Sequence, residues 1–218
     1  MNRPFQLLPL ALVLAVLGTS VRAAGPDDVP LIPRARFFGN PEKARARLSP
    51  DGKRLAFAAP VEGVINVWVS PNDDPAKAKP VTFDKHRGVM SYFWAFTSKH
   101  ILYTQDKNGD EDDHVYVVNL DTGEIKDLTP FPKIKAQIDT VSERFPNEVL
   151  VGINNRDPRF HDIHRINLVS GERKLIQENP GLAGFMADDD YRVRFAVNIT
   201  PDAGQELLKP AAGEKWQP

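Results

Sequence analysis

None of the 218 residues is cysteine, and this absence excludes several kinds of chemistry at once. A chain without thiols forms no disulfide, offers no thiolate nucleophile and holds no iron–sulfur cluster or cysteine-ligated zinc ion. It also provides no cysteine to which a lipid anchor could be attached. Any chemistry that this chain performs must therefore rest on other side chains.

The sequence also lacks the patterns that usually carry catalysis or cofactor binding. It contains no G-x-S-x-G motif, the strained turn that presents a serine nucleophile in α/β-hydrolases, and no glycine-rich phosphate loop. No serine is followed by a suitable aspartate and histidine in a strand–turn–helix context. We therefore predict no catalytic residue, no metal site and no cofactor in this chain, and these residues alone leave open whether it belongs to an enzyme.

An excess of one charge sign is absent as well. The 28 Lys and Arg residues balance 29 Asp and Glu residues, and the formal net charge is −1. Nucleic-acid-binding domains concentrate basic residues on one face or in one segment. Because the charges of this chain are interspersed, we expect no nucleic-acid partner.

The N-terminus has the three-part layout of a secretory signal peptide. Arg3 supplies a positive charge, the run Leu7–Gly18 is almost wholly apolar, and small residues precede a cleavage point between Ala23 and Ala24. The apolar run is well short of the ~20 residues that span a bilayer, so no stable membrane anchor is expected. The sequence predicts a signal peptide over residues 1–23, an entry segment over residues 24–43 and an exported protein, periplasmic or secreted.

Strand-like segments recur along the chain at a spacing of about 48 residues. One type of segment lies at 53–57, 99–103 and 147–151, and a second type lies at 66–69, 114–117 and 162–165. Turn residues keep the same register, since Gly123-Glu124 corresponds to Gly171-Glu172. Glycine-containing turns of this kind join the strands of β-hairpins. The spacing therefore indicates repeated units of antiparallel strands.

The repeat predicts an all-β fold, a partial β-propeller of about four four-stranded blades. Units of about 40–50 residues with four strands each are typical of propeller blades. The predicted blades cover about 44–83, 89–129, 137–177 and 182–218, and residues 41–47 could form at most one or two helical turns. A β-sandwich with coincidental spacing is the alternative. Because Pro218 falls where the last outer strand should begin, we expect the propeller to be cut before its ring closes.

Two polar segments invite a metal-binding interpretation that their patterns do not favour. Residues 106–112 alternate oxygen-bearing side chains as a calcium loop does, but Glu111 and Val117 stand where an EF-hand needs glycine and glutamate. The segment falls between two predicted strands, so a solvated acidic turn is favoured. His161 and His164 are three residues apart on a predicted strand, which directs them to opposite faces and favours a structural role.

The loop 154–160 is the strongest candidate for binding a ligand. It carries Arg156 and Arg159 on either side of Pro158, which stiffens the turn. Two fixed guanidinium groups could hold the carboxylate of a peptide bidentately. The alternative is an ordinary surface loop in which the two arginines pair with Asp157 and Asp162.

Several segments of the sequence resemble those of one family of enzymes. The blade-opening phrase Leu48–Ala56 is common in the propellers of prolyl oligopeptidase-type serine peptidases. More specific similarity to their bacterial dipeptidyl aminopeptidase/acylaminoacyl-peptidase branch comes from an ordered set of segments that spans about Ile32–Trp216. The set comprises Ile32–Pro41, Ser91–Trp94, Asp127–Phe131 and Asn155–Arg159.

The resemblance implies a two-domain serine peptidase. An N-terminal seven- or eight-bladed propeller would cap a C-terminal α/β-hydrolase domain with a Ser-Asp-His triad, and would restrict entry to short peptide substrates. The hydrolase domain is absent from this chain, so no triad residue can be assigned. The expected function is thus the N-terminal propeller portion of an exported peptidase. The alternative is a non-catalytic periplasmic propeller that binds proteins or peptides.

Overall fold

The computed structural model describes residues 31–211 and 215–218. The predicted signal peptide and its cleavage point lie outside these residues. The chain divides into two compact units, Met1–Gly39 and Asn40–Pro218. In the described part of the first unit, one short helix, α1, spans Ala35–Phe38. None of the described helices is long and apolar enough to cross a membrane.

The second unit contains sixteen strands in four separate four-stranded sheets, and the strands of each sheet are adjacent in chain order. Every pairing is antiparallel. The first sheet comprises β1 Ala44–Leu48, β2 Arg54–Val61, β3 Val64–Pro71 and β4 Lys79–Pro80, with a 3₁₀ turn at Pro75–Lys77 before β4. The second comprises β5 Tyr92–Trp94, β6 His100–Gln105, β7 His114–Asn119 and β8 Ile125–Asp127.

The third and fourth sheets repeat the same meander. The third comprises β9 Ala136–Val141, β10 Glu148–Asp157, β11 Phe160–Asn167 and β12 Arg173–Gln177. The fourth comprises β13 Gly184–Ala187, β14 Val193–Ile199, β15 Gln205–Pro210 and β16 Trp216–Gln217. A row of four-stranded meanders, one for each sequence repeat, is the architecture of an unclosed β-propeller, and the predicted fold class is confirmed.

The hairpins between the third and fourth strands show why the repeat is regular. Gly123 and Gly171 adopt φ values of 77° and 78°, which residues with a side chain rarely tolerate. The amide of Gly123 donates to the carbonyl of Asn119, and the amide of Gly171 donates to that of Asn167. Both asparagine side chains also accept hydrogen bonds from amides of their own turn. Identical local chemistry therefore produces the same turn in successive sheets.

The core consists of three hydrophobic clusters, and each cluster joins two neighbouring sheets. The first and second sheets meet around residues that include Val67, Trp94 and Ile101. The second and third sheets share the largest cluster, and the third and fourth meet around Leu150 and Tyr191. A fully buried aliphatic or aromatic side chain stabilises a fold by roughly 1.5–3 kcal/mol, so stacking of neighbouring sheets is the main source of stability.

The structure decides one open alternative at the start of this unit and corrects one expectation at its end. The segment 41–47 contains no helical turn, because Ala44–Leu48 pairs with β2 as the inner strand of the first sheet. The fourth sheet also has its outer strand, since Trp216 and Gln217 pair with Pro210 and Lys209. This last strand has only two residues, too few to be recognised before the partner strand is known.

Candidate functional site

The hairpins between second and third strands and the segments that connect successive sheets emerge at the same end of the strands. We call this end the loop face. The hairpins are formed by residues 61–64, 105–114, 157–160 and 199–205, and the connecting segments by residues 80–92, 127–136 and 177–184. This arrangement follows from the meander, in which the inner strand starts at the loop face and the outer strand returns to it. Arg156, near the end of β10, and Arg159, in the turn that follows, lie on this face; the predicted loop 154–160 is therefore shorter than expected, with only residues 158 and 159 outside the strands.

A side-chain contact that recurs in successive sheets stabilises the loop face. A residue at or near the start of the third strand bonds to the end of the outer strand of the same sheet or to the segment that follows it. In the first sheet, the side-chain oxygen of Asn66 accepts hydrogen bonds from the Thr82 hydroxyl at 2.9 Å and the Asp84 amide at 2.8 Å. In the second, His114 Nδ1 lies 2.8 Å from Asp127 Oδ2. The connecting segments are thus anchored to the strands beneath them.

In the third sheet the equivalent residue is Asp162, and its partner is Arg156. Arg156 Nε and Nη2 each donate to a different Asp162 oxygen at 2.8 Å, and Nη2 also donates to the carbonyl of Asn179 at 2.8 Å. The amide of Asn179 donates to Asp162 Oδ1 at 2.7 Å. Although burial raises the pKa of Asp162, these hydrogen bonds from Arg156 and Asn179 hold it below its usual value. Arg156 therefore ties the hairpin of the third sheet to the segment that leads into the fourth.

Arg159 is held less firmly than Arg156. Its Nε and Nη2 lie 3.0 and 2.8 Å from the two carboxylate oxygens of Asp157, and its guanidinium lies 5.1 Å from the ring centre of Phe160. The hydrogen bond from Arg159 lowers the pKa of Asp157 to about 2. The Arg159 side chain is 74% exposed. Exposed pairs of this kind contribute little to stability, so the carboxylate of a ligand can compete with Asp157.

The acidic segment 106–112 forms the hairpin of the second sheet. Asp110 Oδ1 accepts hydrogen bonds from the amides of Lys107 and Asp112 at 3.0 and 3.1 Å. The amide of Glu111 lies 3.4 Å from Asp106 Oδ2. These carboxylates are used to shape the turn. Among the residues that the structure describes, no group of three or more histidine or acidic side chains is arranged to hold a metal ion.

His161 and His164 lie on opposite faces of the third sheet. His164 is opposite Val151, whereas His161 approaches Gly152, whose neighbour across the ladder is Ile163. Burial lowers the pKa of both imidazoles, and His164 Nδ1 lies 3.2 Å from the carbonyl of Asp162. The two rings therefore cannot share a ligand.

One feature of the loop face has no counterpart in the sequence analysis. A cavity of about 360 Å³ opens between the first sheet and the segment that connects it to the second sheet, next to the hairpin of the first sheet. Arg45, His86 and Arg87 contribute its basic lining, and Asn40 and Met90 lie at the same cavity. Arg45 escapes notice in the sequence because it is one of two alternating arginines that resemble the exposed side of any edge strand.

Three comparisons place the chain among known proteins. No family model matches it. It is 45% identical over 214 residues to dipeptidyl aminopeptidase BIII of Pseudoxanthomonas mexicana, covering 98% of this chain and 30% of the relative. It is 31% identical over 195 residues to dipeptidyl peptidase family member 6 of Caenorhabditis elegans, covering 85% of this chain and 26% of that protein. The chain thus spans less than a third of the curated relatives it matches.

A solved structure supports the same fold. The acylaminoacyl peptidase of Pyrococcus horikoshii matches 80% of this chain and 32% of its own length with a TM-score of 0.53 at 16% sequence identity. At this identity the match speaks for the fold alone. Together with the two sequence relatives, this match confirms the resemblance to peptidase propellers that the sequence segments indicated.

Proposed function

We propose that this chain belongs to the prolyl oligopeptidase family of serine peptidases and forms the N-terminal part of the propeller of an exported enzyme that hydrolyses short peptides. The observation that carries the proposal is the 45% identity with a dipeptidyl aminopeptidase over nearly the whole chain. The four repeated sheets support it, because they are the architecture expected for the propeller portion of such an enzyme.

Catalysis is assigned to a part of the protein outside this chain. In the proposed reaction a serine hydroxyl attacks the peptide carbonyl, the leaving amine takes a proton from a histidine, and water then hydrolyses the acyl-enzyme. The propeller would limit access to the serine and so select short peptides. Sequencing the coding region downstream of Pro218 tests this assignment. A reading frame that continues beyond Pro218 and reaches a G-x-S-x-G motif supports the assignment. A stop codon directly after Pro218, with unrelated sequence behind it, supports the non-catalytic binding protein instead.

Export is a separate part of the proposal and rests on residues 1–24. The apolar run and the small residues before Ala24 support cleavage after Ala23 by a signal peptidase. N-terminal sequencing of the protein recovered from the periplasm or the medium tests it. A first residue at or near Ala24 is expected, and exported protein that still begins at Met1 contradicts it.

The loop face is the proposed route by which a substrate meets this part of the propeller. Arg159 is the better candidate to bind a peptide carboxylate, because its only described ion pair is exposed, whereas Arg156 is engaged by the buried Asp162. Charge-assisted hydrogen bonds contribute about 1.5–3 kcal/mol, so loss of the contact should lower kcat/KM roughly tenfold to a hundredfold.

The test uses the complete protein and one peptide in two forms. Arg159→Ala and Arg156→Ala are assayed with the free acid and with its C-terminal amide. A selective loss for the free acid supports the contact. An unchanged acid-to-amide preference in both variants shows that the two arginines serve only the structure of the loop.

A further inference from the structure

We propose that the cavity between the first sheet and the segment connecting it to the second sheet is a carboxylate-binding site, with Arg45 and Arg87 as its cationic groups. Its occupant is a peptide that presents a carboxylate, from either an acidic side chain or the C-terminus. That the ligand is a peptide rests on the proposed function. That the ligand carries a carboxylate rests on the residues that line the cavity.

Arg45 is directed by a local irregularity of β1. Ala44 is opposite Ala58 and Arg47 is opposite Ala56, so one additional residue of β1 is accommodated between these pairs as a β-bulge. Arg45 adopts φ 55°, the left-handed region that residues with a side chain seldom occupy. Bulges redirect side chains, and strained residues concentrate at functional sites. Without this bulge, the regular alternation of the strand would set the direction of Arg45.

The strained conformation of Arg45 is fixed from the neighbouring sheet. The hydroxyl of Tyr92 on β5 donates to the carbonyl of Arg45. Tyr92 is only 2% exposed, so this contact is made in the hydrophobic cluster between the two sheets. The backbone of Arg45 is therefore anchored while its side chain is exposed at the cavity. Its guanidinium makes no ion pair with any residue in 31–211 or 215–218.

Arg87 lies on a tightly built segment that connects the first sheet to the second. Asp84 Oδ2 accepts hydrogen bonds from the amides of His86 and Gly88, and Asn66 holds Asp84 in turn. Gly88 has φ 83°, and a Cβ atom added there would lie 2.8 Å from the carbonyl oxygen of Ile65. Only glycine therefore allows this close approach, which sets the position of the preceding Arg87.

Arg87 retains capacity for another anion. Its Nη1 lies 3.4 Å from Asp106 Oδ2, and the Arg87 side chain is 59% exposed. A guanidinium has five N–H donors, and this single long contact occupies few of them. The carboxylate of a ligand can thus bind without displacing a buried partner.

The remaining walls favour a small organic acid over a bare inorganic ion. Ala58, Val64, Ile65 and Met90 supply apolar surface, and Asn40 and His86 supply polar atoms. A volume of about 360 Å³ falls in the range of small-molecule sites, which combine apolar walls with a few fixed polar groups. Arginine suits this task because its planar fork matches the geometry of a carboxylate.

The test compares matched peptides in the complete protein. One pair of C-terminally amidated peptides differs by glutamate or glutamine at one position, and a second pair differs by a free or amidated C-terminus. Arg45→Gln and Arg87→Gln should each lower kcat/KM for the charged member of at least one pair about tenfold and leave the neutral members within about twofold. The pair that responds identifies the source of the carboxylate. Arg47→Gln is the control, because it removes the same charge from β1 but Arg47 contacts the ring of Phe93 and does not line the cavity.

A binding measurement separates this site from the proposed activity. Calorimetric titration of the complete protein with N-acetylglutamate and N-acetylglutamine should show tighter binding of the acid, weakened about tenfold by Arg45→Gln. If the protein hydrolyses no peptide, the proposed function fails while this result still supports the site. If the acid binds no better than the amide, and neither arginine variant alters a charged-to-neutral preference, the site is refuted.

Discussion

The hydroxyl of Tyr92 on the inner strand of the second sheet lies 2.5 Å from the carbonyl oxygen of Arg45 on the inner strand of the first. Two residues further on, Trp94 Nε1 donates to the carbonyl of Arg47 at 3.1 Å. Both contacts join residues 47 apart, about one repeat. Side chains of the inner strand of the second sheet therefore bond to the backbone of the inner strand of the first sheet. The bulge at Arg45 takes part in one of these two contacts.

Removing only the phenolic oxygen tests this connection. Tyr92→Phe should destabilise the protein by about 1 kcal/mol, because the hydrogen bond from the buried Tyr92 side chain to the carbonyl of Arg45 is lost. Amide hydrogen exchange of Ala44–Leu48 in the complete protein is the measurement, and faster exchange there is expected. Tyr116→Phe is the control, since the Tyr116 hydroxyl has no hydrogen bond within the described residues. Equal exchange rates in β1 for the wild type and Tyr92→Phe would show that the bulge does not depend on this bond.

The carboxyl of Asp139 on β9 is predicted to reduce stability at neutral pH. Burial raises its pKa above the usual 3.8. The folded state then binds the proton more tightly than the unfolded state, so stability declines as the pH rises through the folded pKa. Asp139→Asn should therefore raise the melting temperature at pH 7, and the gain should shrink as the pH falls toward 3.8.

Asp73→Asn provides the matched control for this prediction, because it removes the same charge from an exposed position. Thermal unfolding of both variants over a series of pH values is the measurement. If Asp139→Asn changed the melting temperature equally at every pH, burial of the Asp139 carboxylate would not be what lowers the stability of the protein.

Loss of the Arg159 guanidinium should be visible directly at Asp157. The hydrogen bond from Arg159 is the main cause that lowers the pKa of Asp157 to about 2. Arg159→Gln should raise this pKa toward 3.8, which NMR titration of the Asp157 carboxyl can measure. Arg156→Gln should change it less, since Arg156 has only a weaker electrostatic effect on Asp157. A pKa of Asp157 that stays near 2 in Arg159→Gln would show that the pair with Arg159 is not what lowers it.

The fourth sheet has one apolar face that its own chain leaves exposed. Phe195 and Leu207 are 41% and 53% exposed, and Met186 and Ile199 lie on the same side. The opposite side contains Ala196 and Leu208, which are buried. Exposed sheet faces and edges promote association. Residues 24–218 expressed alone should thus self-associate, and the double variant Phe195→Lys, Leu207→Lys should be more monomeric.

Light scattering after size-exclusion chromatography distinguishes the outcomes. Phe83→Lys is the control, because Phe83 is also apolar and is 60% exposed but lies on the segment that leaves the first sheet. A monomeric wild-type chain with a sharp cooperative melt would contradict the prediction and indicate that the four sheets form a self-contained unit.

Much of the architecture could be predicted from the sequence because the repeat fixes both the strands and the turns. The second and third strands carry Val, Ile and aromatic residues in a common register, and Gly123 and Gly171 mark the same hairpin. The inner strand Ala44–Leu48 lies within the predicted first blade, but its residues alone left a helical turn open, because alanine, arginine and leucine favour helices locally. Only its pairing with β2 makes it a strand, and pairing between distant segments is not visible in a local pattern.

The candidate site was predictable only in part, for the same reason. The sequence alone suggested that Arg156 and Arg159 could pair with Asp162 and Asp157, and the structure contains both pairs. The conformation of Arg45 depends on a bulge and on a hydrogen bond from the next sheet. Neither feature can be recognised from the residues around Arg45, so the cavity is found only in the folded chain.

We have proposed that this chain is part of a longer serine peptidase whose nucleophile lies outside residues 1–218. The most direct measurement treats the protein purified from its source with a fluorophosphonate and locates the labelled residue by mass spectrometry, alongside hydrolysis of a dipeptide amide. The account predicts a single labelled serine beyond Pro218 and loss of hydrolysis on labelling. A purified protein that takes no label and hydrolyses no peptide would contradict it.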